Sequence, residues 1–82
     1  MNTVIDFRDL MPGGRHTLFM TIFAGLKNGS SFEFINDHEP KGLFREVASL
    51  QLQNLKWETL EDGPNAWRIR VSKEGQNTVK TP

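Results

Sequence analysis

The sequence predicts an α/β fold of the α+β two-layer sandwich type, in which two helices cover one face of a four-stranded mixed sheet. The spacing of apolar residues changes along the chain: in some segments every second residue is apolar, as in a strand, and in others the apolar residues recur with the spacing of a helix. This pattern predicts the order β-α-β-α-β-β. Charged residues alternate with apolar ones along the predicted strands, so the other face of the sheet is expected to meet water. A chain of 82 residues is long enough for one such domain and too short for two.

The first three elements are a strand, a helix and a strand. The first strand is predicted over Val4–Arg8, where apolar and charged residues alternate. Met11-Pro12-Gly13-Gly14 ends it, because proline lacks a backbone donor and paired glycines free the chain. A helix from about Arg15 to Lys27 follows, and Asn28-Gly29 closes it.

Gly25 within this helix costs about 1 kcal/mol relative to alanine, so we expect a close backbone approach there. The apolar stripe of the helix is Leu18, Phe19, Ile22, Phe23 and Leu26.

The remaining elements are a strand, a helix and a hairpin. Ser31–Asn36 is the second strand, and Pro40 suits the first position of a helix that extends to about Gln53. Leu55–Leu60 and Ala66–Val71 alternate as two further strands, and the turn-forming residues between them predict a hairpin. We therefore predict one domain over residues 1–72 and a flexible C-terminal tail over residues 73–82, where large apolar residues are almost absent.

The two faces of the predicted sheet differ in composition. Trp57 and Trp67 are assigned to the core, because aromatic side chains fill small cores. Opposite charges on neighbouring strands of the other face would stabilise the sheet by about 0.2–1 kcal/mol per pair. The residues assigned to this uncovered face are Asp6, Arg8, Glu33, Lys56, Glu58, Arg68 and Arg70.

Composition narrows the classes of function. Lys plus Arg equals Asp plus Glu at ten each, so a nucleic-acid partner bound through phosphates is not expected. The absence of cysteine excludes disulfides and thiol catalysis and suits a reducing compartment. The N-terminus has no signal-peptide pattern, and no apolar run reaches the ~18–20 residues of a membrane span. We expect a cytoplasmic protein that does not bind membranes.

Both histidines are expected at one edge of the sheet. Arg15 and His16 follow the first strand, and Asp37, His38 and Glu39 follow the second. If these strands are parallel, both end at the same edge, where the N-termini of the two helices add partial positive charge. This edge is the predicted ligand site, with Arg15, His16, Asp37 and His38 as the candidate binding residues.

Three interpretations of this edge remain open. His16, His38, Asp37 and Glu39 could ligate a divalent metal, although their spacing matches no known closed motif. Alternatively, Arg15, His16 and the helix N-termini could hold an anion, with His38 as a proton donor. The third interpretation is structural: Arg15 pairs with Asp37, and Asp37 and His38 fix the loop by bonding its backbone.

Short motifs along the chain resemble a known family. They are Asp6-x-Arg8, Arg15-His16, Leu26-x-x-Gly29, Asn36-Asp37-His38-x-Pro40 and Gly63-Pro64-x-x-Trp67-Arg68. From about Val4 to Ser72 the chain resembles the uncharacterised bacterial domain of unknown function twenty-two forty-nine, a family related to the TusA/SirA sulfur-relay proteins. The resemblance implies the TusA-like β-α-β-α-β-β sandwich. It also implies a redox partner, since the domain is often fused to hemerythrin-like or cupin domains.

The mechanism of the sulfur-relay proteins is not implied. In TusA-like proteins a Cys-Pro pair opens the first helix, and its thiol carries persulfide sulfur. The corresponding pair here looks like Met11-Pro12, and a thioether cannot form a persulfide, so transfer by this route is excluded.

The sequence thus predicts a small binding or accessory module of unknown ligand, associated with redox or sulfur metabolism through its family. An enzyme, either metal-dependent or acid–base, using His16, Asp37 and His38 is the alternative, although 82 residues leave little room for an enclosed cavity. A regulatory domain that docks on a redox, hemerythrin-like or cupin partner protein is a further alternative. A divalent metal is the only cofactor that these residues suggest.

Overall fold

Two helices cover one face of a four-stranded sheet in the computed structural model of the protein, which describes residues 3–52 and 54–74. The elements are β1 (Thr3–Asp6), α1 (Pro12–Gly25), β2 (Ser31–Asn36), α2 (Lys41–Ser49), β3 (Leu55–Asp62) and β4 (Trp67–Lys73). The sheet order is β1-β2-β4-β3, with β1 parallel to β2 and β4 antiparallel to both of its neighbours. The predicted fold class, element order and mixed sheet are confirmed.

Phenylalanine dominates the core between the helices and the sheet. Phe7 and Phe34 stack with their ring centroids 4.6 Å apart, and Phe19 meets Phe34 edge-on at 6.0 Å. Aromatic pairs of this kind contribute about 0.5–1.5 kcal/mol beyond the burial of their area. The buried apolar side chains of the described residues are Phe7, Phe19, Phe23, Phe32, Phe34, Leu43, Val47, Ile69 and Val71.

The uncovered face of the sheet is charged, as predicted, but its central carboxylate is buried. Glu33 is only 3% exposed. Arg68 Nε donates to Glu33 Oε1 at 2.7 Å, and Arg70 Nη2 donates to Glu33 Oε2 at 3.3 Å. The hydrogen bond from Arg68 is the main reason that the pKa of Glu33 is lowered. Two guanidinium groups of β4 thus lie over a carboxylate of β2 and cover it from solvent.

β1 is shorter than the predicted strand Val4–Arg8. It ends at Asp6, and Phe7–Asp9 form one turn of 3₁₀ helix. The Asp6 carboxylate accepts the Arg8 backbone N–H at 3.0 Å, and an aspartate that bonds the backbone two residues on favours a turn over a strand. Hydrogen bonds from Arg8 also lower the pKa of Asp6 to about 2. Phe7 remains buried, as its place in the alternation predicted.

The helix boundaries differ from the predicted ones. α1 ends at Gly25, and a β-carbon placed there would meet nothing within 4 Å, so the expected close backbone approach is wrong. The glycine lies at the helix end instead of in a packed interior. α2 ends at Ser49, short of the predicted Gln53, which lies outside the described residues. Gln51 adopts a φ of 53°, which is incompatible with a continuing right-handed helix.

The two tryptophans have different environments. Trp57 packs against Phe34 at 5.7 Å and against Phe44 at 5.0 Å, at the border of the core. The core assignment of Trp67 is wrong. Its Nε1 donates to Asp62 Oδ1 at 2.9 Å, and its ring lies over the backbone of Gly63, so it closes the hairpin turn.

β4 is the last element of the described residues. β4 ends at Lys73, whose backbone N–H donates to Ser30 O at 2.9 Å. Of the predicted tail, residues 75–82 lie outside the described part of the chain. Neither α1 nor α2 is long and apolar enough to cross a membrane, within residues 3–52 and 54–74.

Candidate functional site

Arg15 is the centre of the predicted site, and it is 8% exposed. It lies in the first turn of α1, next to the carboxyl ends of β1 and β2. Arg15 Nε donates to the Leu10 carbonyl at 2.9 Å, and Nη1 donates to Asn36 Oδ1 at 2.8 Å and to Asp37 Oδ1 at 3.0 Å. A single guanidinium therefore joins the start of α1 to the end of β2.

Asn36 and Asp37 complete this network from the end of β2. Asn36 is 4% exposed, and its Nδ2 donates to the His38 carbonyl at 3.0 Å. Asp37 is held by Arg15 and by His38, and the hydrogen bond from Arg15, followed by the one from His38, keeps its pKa far below the usual range. The carboxylate therefore remains ionised, and it connects Arg15 of α1 to His38 in the loop after β2.

Each histidine has a carboxylate on its Nδ1 atom. His38 Nδ1 lies 2.8 Å from Asp37 Oδ1, and His16 Nδ1 lies 2.5 Å from Glu46 Oε1. A carboxylate at Nδ1 favours the tautomer with its proton on that nitrogen, an assignment made from the hydrogen bond. Within residues 3–52 and 54–74, neither Nε2 atom has a protein partner. The two Nε2 atoms are thus the free ring nitrogens.

The two imidazoles line one pocket. It has a volume of about 80 Å³, and no carboxylate is among its lining residues. The floor and walls are formed by Arg15, His16, Asn36, His38, Pro40, Gly42 and Leu43. Ligand pockets for drug-sized molecules have volumes of about 300–1,000 Å³, so this one suits a single small group.

The predicted site residues divide into two sets. Arg15, His16 and His38 line the pocket, while Asp37 lies behind it as the partner of Arg15 and His38. Glu39, a candidate metal ligand, is not a lining residue, and its carboxylate lies 3.8 Å from Lys41 Nζ. In the described part of the chain, no three side chains of the histidine, aspartate or glutamate type come together as metal ligands would.

Asn36 and Glu46 are residues of the site that the sequence prediction did not include. Asn36 belongs to the Asn-Asp-His-x-Pro motif, so its position directly before Asp37 was an available signal. Glu46 gave no such signal, because it lies on α2 and meets His16 only through the packing of the two helices.

Comparisons with known proteins give a family and a fold. The profile of the family described as "Uncharacterized conserved protein (DUF2249)" matches residues 4–73. A solved structure, the solution structure of HP1264 from Helicobacter pylori, is similar with a TM-score of 0.68 and 17% sequence identity. The match covers 89% of this chain and 99% of that one, and at this identity it shows the fold alone. No curated protein sequence matches. The chain belongs to the uncharacterized conserved family DUF2249.

Proposed function

We propose that the domain is a small binding module whose site is the pocket between the end of β2 and the N-termini of α1 and α2. One observation carries the proposal: both histidines of the chain line the same pocket, each with Nδ1 on a carboxylate and Nε2 without a protein partner. The His38 side chain is 64% exposed and that of His16 is 39% exposed, so a ligand can reach both Nε2 atoms from solvent.

The residues have separate roles in this proposal. His16 and His38 make the polar contacts to the ligand through Nε2. Asp37 orients His38. Each side-chain nitrogen of Arg15 already has a protein acceptor, so Arg15 fixes the wall of the pocket and adds positive charge there instead of donating to the ligand. Arg15 and Asp37 therefore act mainly by shaping the site, as the structural interpretation of the sequence expected.

An acid–base enzyme is the second candidate. Its support is the pairing of His38 with Asp37, since a carboxylate that orients an imidazole is the usual arrangement for a general base. The small volume of the pocket favours binding over turnover of a large substrate. One measurement distinguishes the two candidates: a ligand that binds in the pocket is converted to a product by an enzyme and is left unchanged by a binding module.

The setting proposed for the module is the cytoplasm, in line with a chain that has no cysteine. An accessory role beside a redox or hemerythrin-like or cupin protein is part of the proposal and is supported by the family resemblance. Binding to nucleic acid is not part of it, because the formal net charge is zero.

The test is a map of ligand contacts by ¹H–¹⁵N NMR while mixtures of small metabolites are added. The proposal expects saturable shifts at His16, His38 and Gly42, and their loss in His38→Gln. His16→Gln should lose them as well, and its unfolding midpoint should change little because His16 is partly exposed. Shifts confined to the face of Arg68 and Arg70 would contradict the proposal and favour docking of a partner there.

A further inference from the structure

We propose that the pocket binds a small oxyanion of the phosphate type, either free or as the end group of a larger metabolite. This inference rests on the proposed function and adds the chemical class of the ligand. Its first basis is the charge of the lining. Three lining side chains are basic, Arg15, His16 and His38, and none is acidic, although the chain as a whole has no net charge.

The N-terminus of α2 gives the pocket backbone donors as well. Gly42 and Leu43, in the first turn of α2, are lining residues. No side chain caps this turn and it contains no acidic residue, and the N–H groups of Gly42 and Leu43 have no acceptor in the described part of the chain. Free N–H groups and the helix dipole both favour an anion at such a position.

The volume and the donor arrangement favour a compact anion. A pocket of about 80 Å³ has room for one small group and not for a whole nucleotide or sugar. A tetrahedral oxyanion offers acceptors in several directions, which suits donors that come from two imidazoles and from a helix end. A planar carboxylate directs its lone pairs within one plane and therefore suits donors from several directions less well.

The imidazoles would contact the anion as donors, through Nε2. Nε2 donates only when the ring is protonated, because Nδ1 already carries the proton that faces its carboxylate. The charged groups that face the rings are Glu46 of α2 at His16 and Asp37, itself held by Arg15, at His38. These carboxylates lie at the Nδ1 atom of each ring and leave Nε2 open to the anion.

Gly42 offers a substitution that separates binding from folding. A β-carbon at Gly42 would meet nothing within 4 Å, so an alanine side chain fits there without displacing a neighbour. Gly42→Asp places a carboxylate in the first turn of α2, where it stabilises a helix but repels an anion in the pocket. Gly42→Ala is the matched control, because it also stabilises the helix and carries no charge.

The experiment titrates wild-type protein, Gly42→Ala and Gly42→Asp with inorganic phosphate and with glycerol phosphate at constant ionic strength, followed by ¹H–¹⁵N NMR. We expect wild type and Gly42→Ala to bind at least one of them with a dissociation constant on the order of 1 mM, shifting His16, His38 and Gly42. Gly42→Asp should bind at least tenfold more weakly with no fall in its unfolding midpoint. Tighter binding of glycerol phosphate than of phosphate would show that the ligand is the phosphate end group of a larger metabolite, and the reverse would show that it is the free ion. Either result supports the inference.

Two results would overturn the oxyanion inference. One is equal shifts from acetate or chloride at the same ionic strength, which would mean unspecific screening. The other is unchanged phosphate affinity in Gly42→Asp. If phosphate gives no shifts while neutral or cationic metabolites shift the same pocket residues, the ligand class is wrong and the binding module stands. If nothing shifts those residues, the proposed function fails with it.

Discussion

Arg15 and Asn36, which are 21 residues apart in the chain, meet in a buried hydrogen bond of 2.8 Å from Nη1 to Oδ1. This contact joins the first turn of α1 to the last residue of β2. Both residues belong to the lining of the pocket.

Asn36→Ala should therefore destabilise the domain. The substitution leaves a buried guanidinium without one acceptor and removes the bond to the His38 carbonyl, and we expect a loss of about 2–3 kcal/mol in the free energy of unfolding. Urea unfolding followed by tryptophan fluorescence measures this. Asn65→Ala is the control, because Asn65 is exposed in the hairpin turn. Equal effects of the two substitutions would show that the Arg15–Asn36 contact contributes little.

Glu33→Gln should destabilise the sheet more than Glu58→Gln. Both glutamates contact Arg70, but Glu33 has a side chain 4% exposed with a second partner in Arg68, and Glu58 has one 45% exposed. Loss of the buried charge should cost about 1–2 kcal/mol in the free energy of unfolding, whereas the exposed pair contributes less than about 0.5 kcal/mol. Parallel urea titrations of the two variants give the comparison. A larger effect at Glu58 would contradict the arrangement on this face.

Acid should weaken the domain partly through Asp37. Its pKa in the folded protein is held far below the usual range, first by Arg15 and then by His38, whereas in the unfolded chain an aspartate titrates near ~3.9. A lowered folded pKa means that the stabilisation is complete above the unfolded pKa and is lost as the pH falls through the folded one. Asp37→Asn should therefore show a smaller fall in unfolding midpoint than wild type between about pH 5 and about pH 2. Parallel pH profiles of the two proteins would rule out this role of Asp37.

Glu46→Gln should weaken ligand binding without weakening the fold. Glu46 is half exposed, so its pair with His16 contributes at most about 1 kcal/mol to stability. Its larger effect is on the imidazole, because a glutamine can turn either its oxygen or its amide N–H groups towards Nδ1 and so does not hold the ring in one orientation and tautomer as a carboxylate does. We expect a three- to tenfold rise in the dissociation constant for phosphate, measured by NMR titration. A variant that binds as tightly as wild type would show that Glu46 has no part in the site.

The sequence was most informative where local pattern decides the structure. Alternation at Phe32 and Phe34 and the helical spacing of Phe19 and Phe23 predicted the core, and these residues are buried. The edge with Arg15 and His38 followed from the parallel order of β1 and β2, which the short connection through one helix requires. The motifs that carried the family resemblance include residues of the same edge, and the family model matches residues 4–73.

The sequence was least informative where tertiary contacts decide. Nothing local distinguishes Trp57 from Trp67, yet one borders the core and the other bonds Asp62 in the turn. Likewise, Glu33 follows the alternation of an exposed residue, and only the approach of Arg68 from β4 buries it. The partner of His16 depends on how α2 packs beside α1, which no spacing within either helix reveals.

The central claim is that both imidazoles present a free Nε2 to one ligand pocket. Long-range ¹H–¹⁵N spectra of the two imidazole rings, recorded with and without phosphate, test it most directly, because they report each ring nitrogen separately. We predict that His16 and His38, in their neutral form, carry the proton on Nδ1, and that phosphate shifts both Nε2 resonances together with one binding curve. Neutral rings protonated on Nε2, or ring spectra that do not respond while phosphate binds elsewhere, would contradict the account.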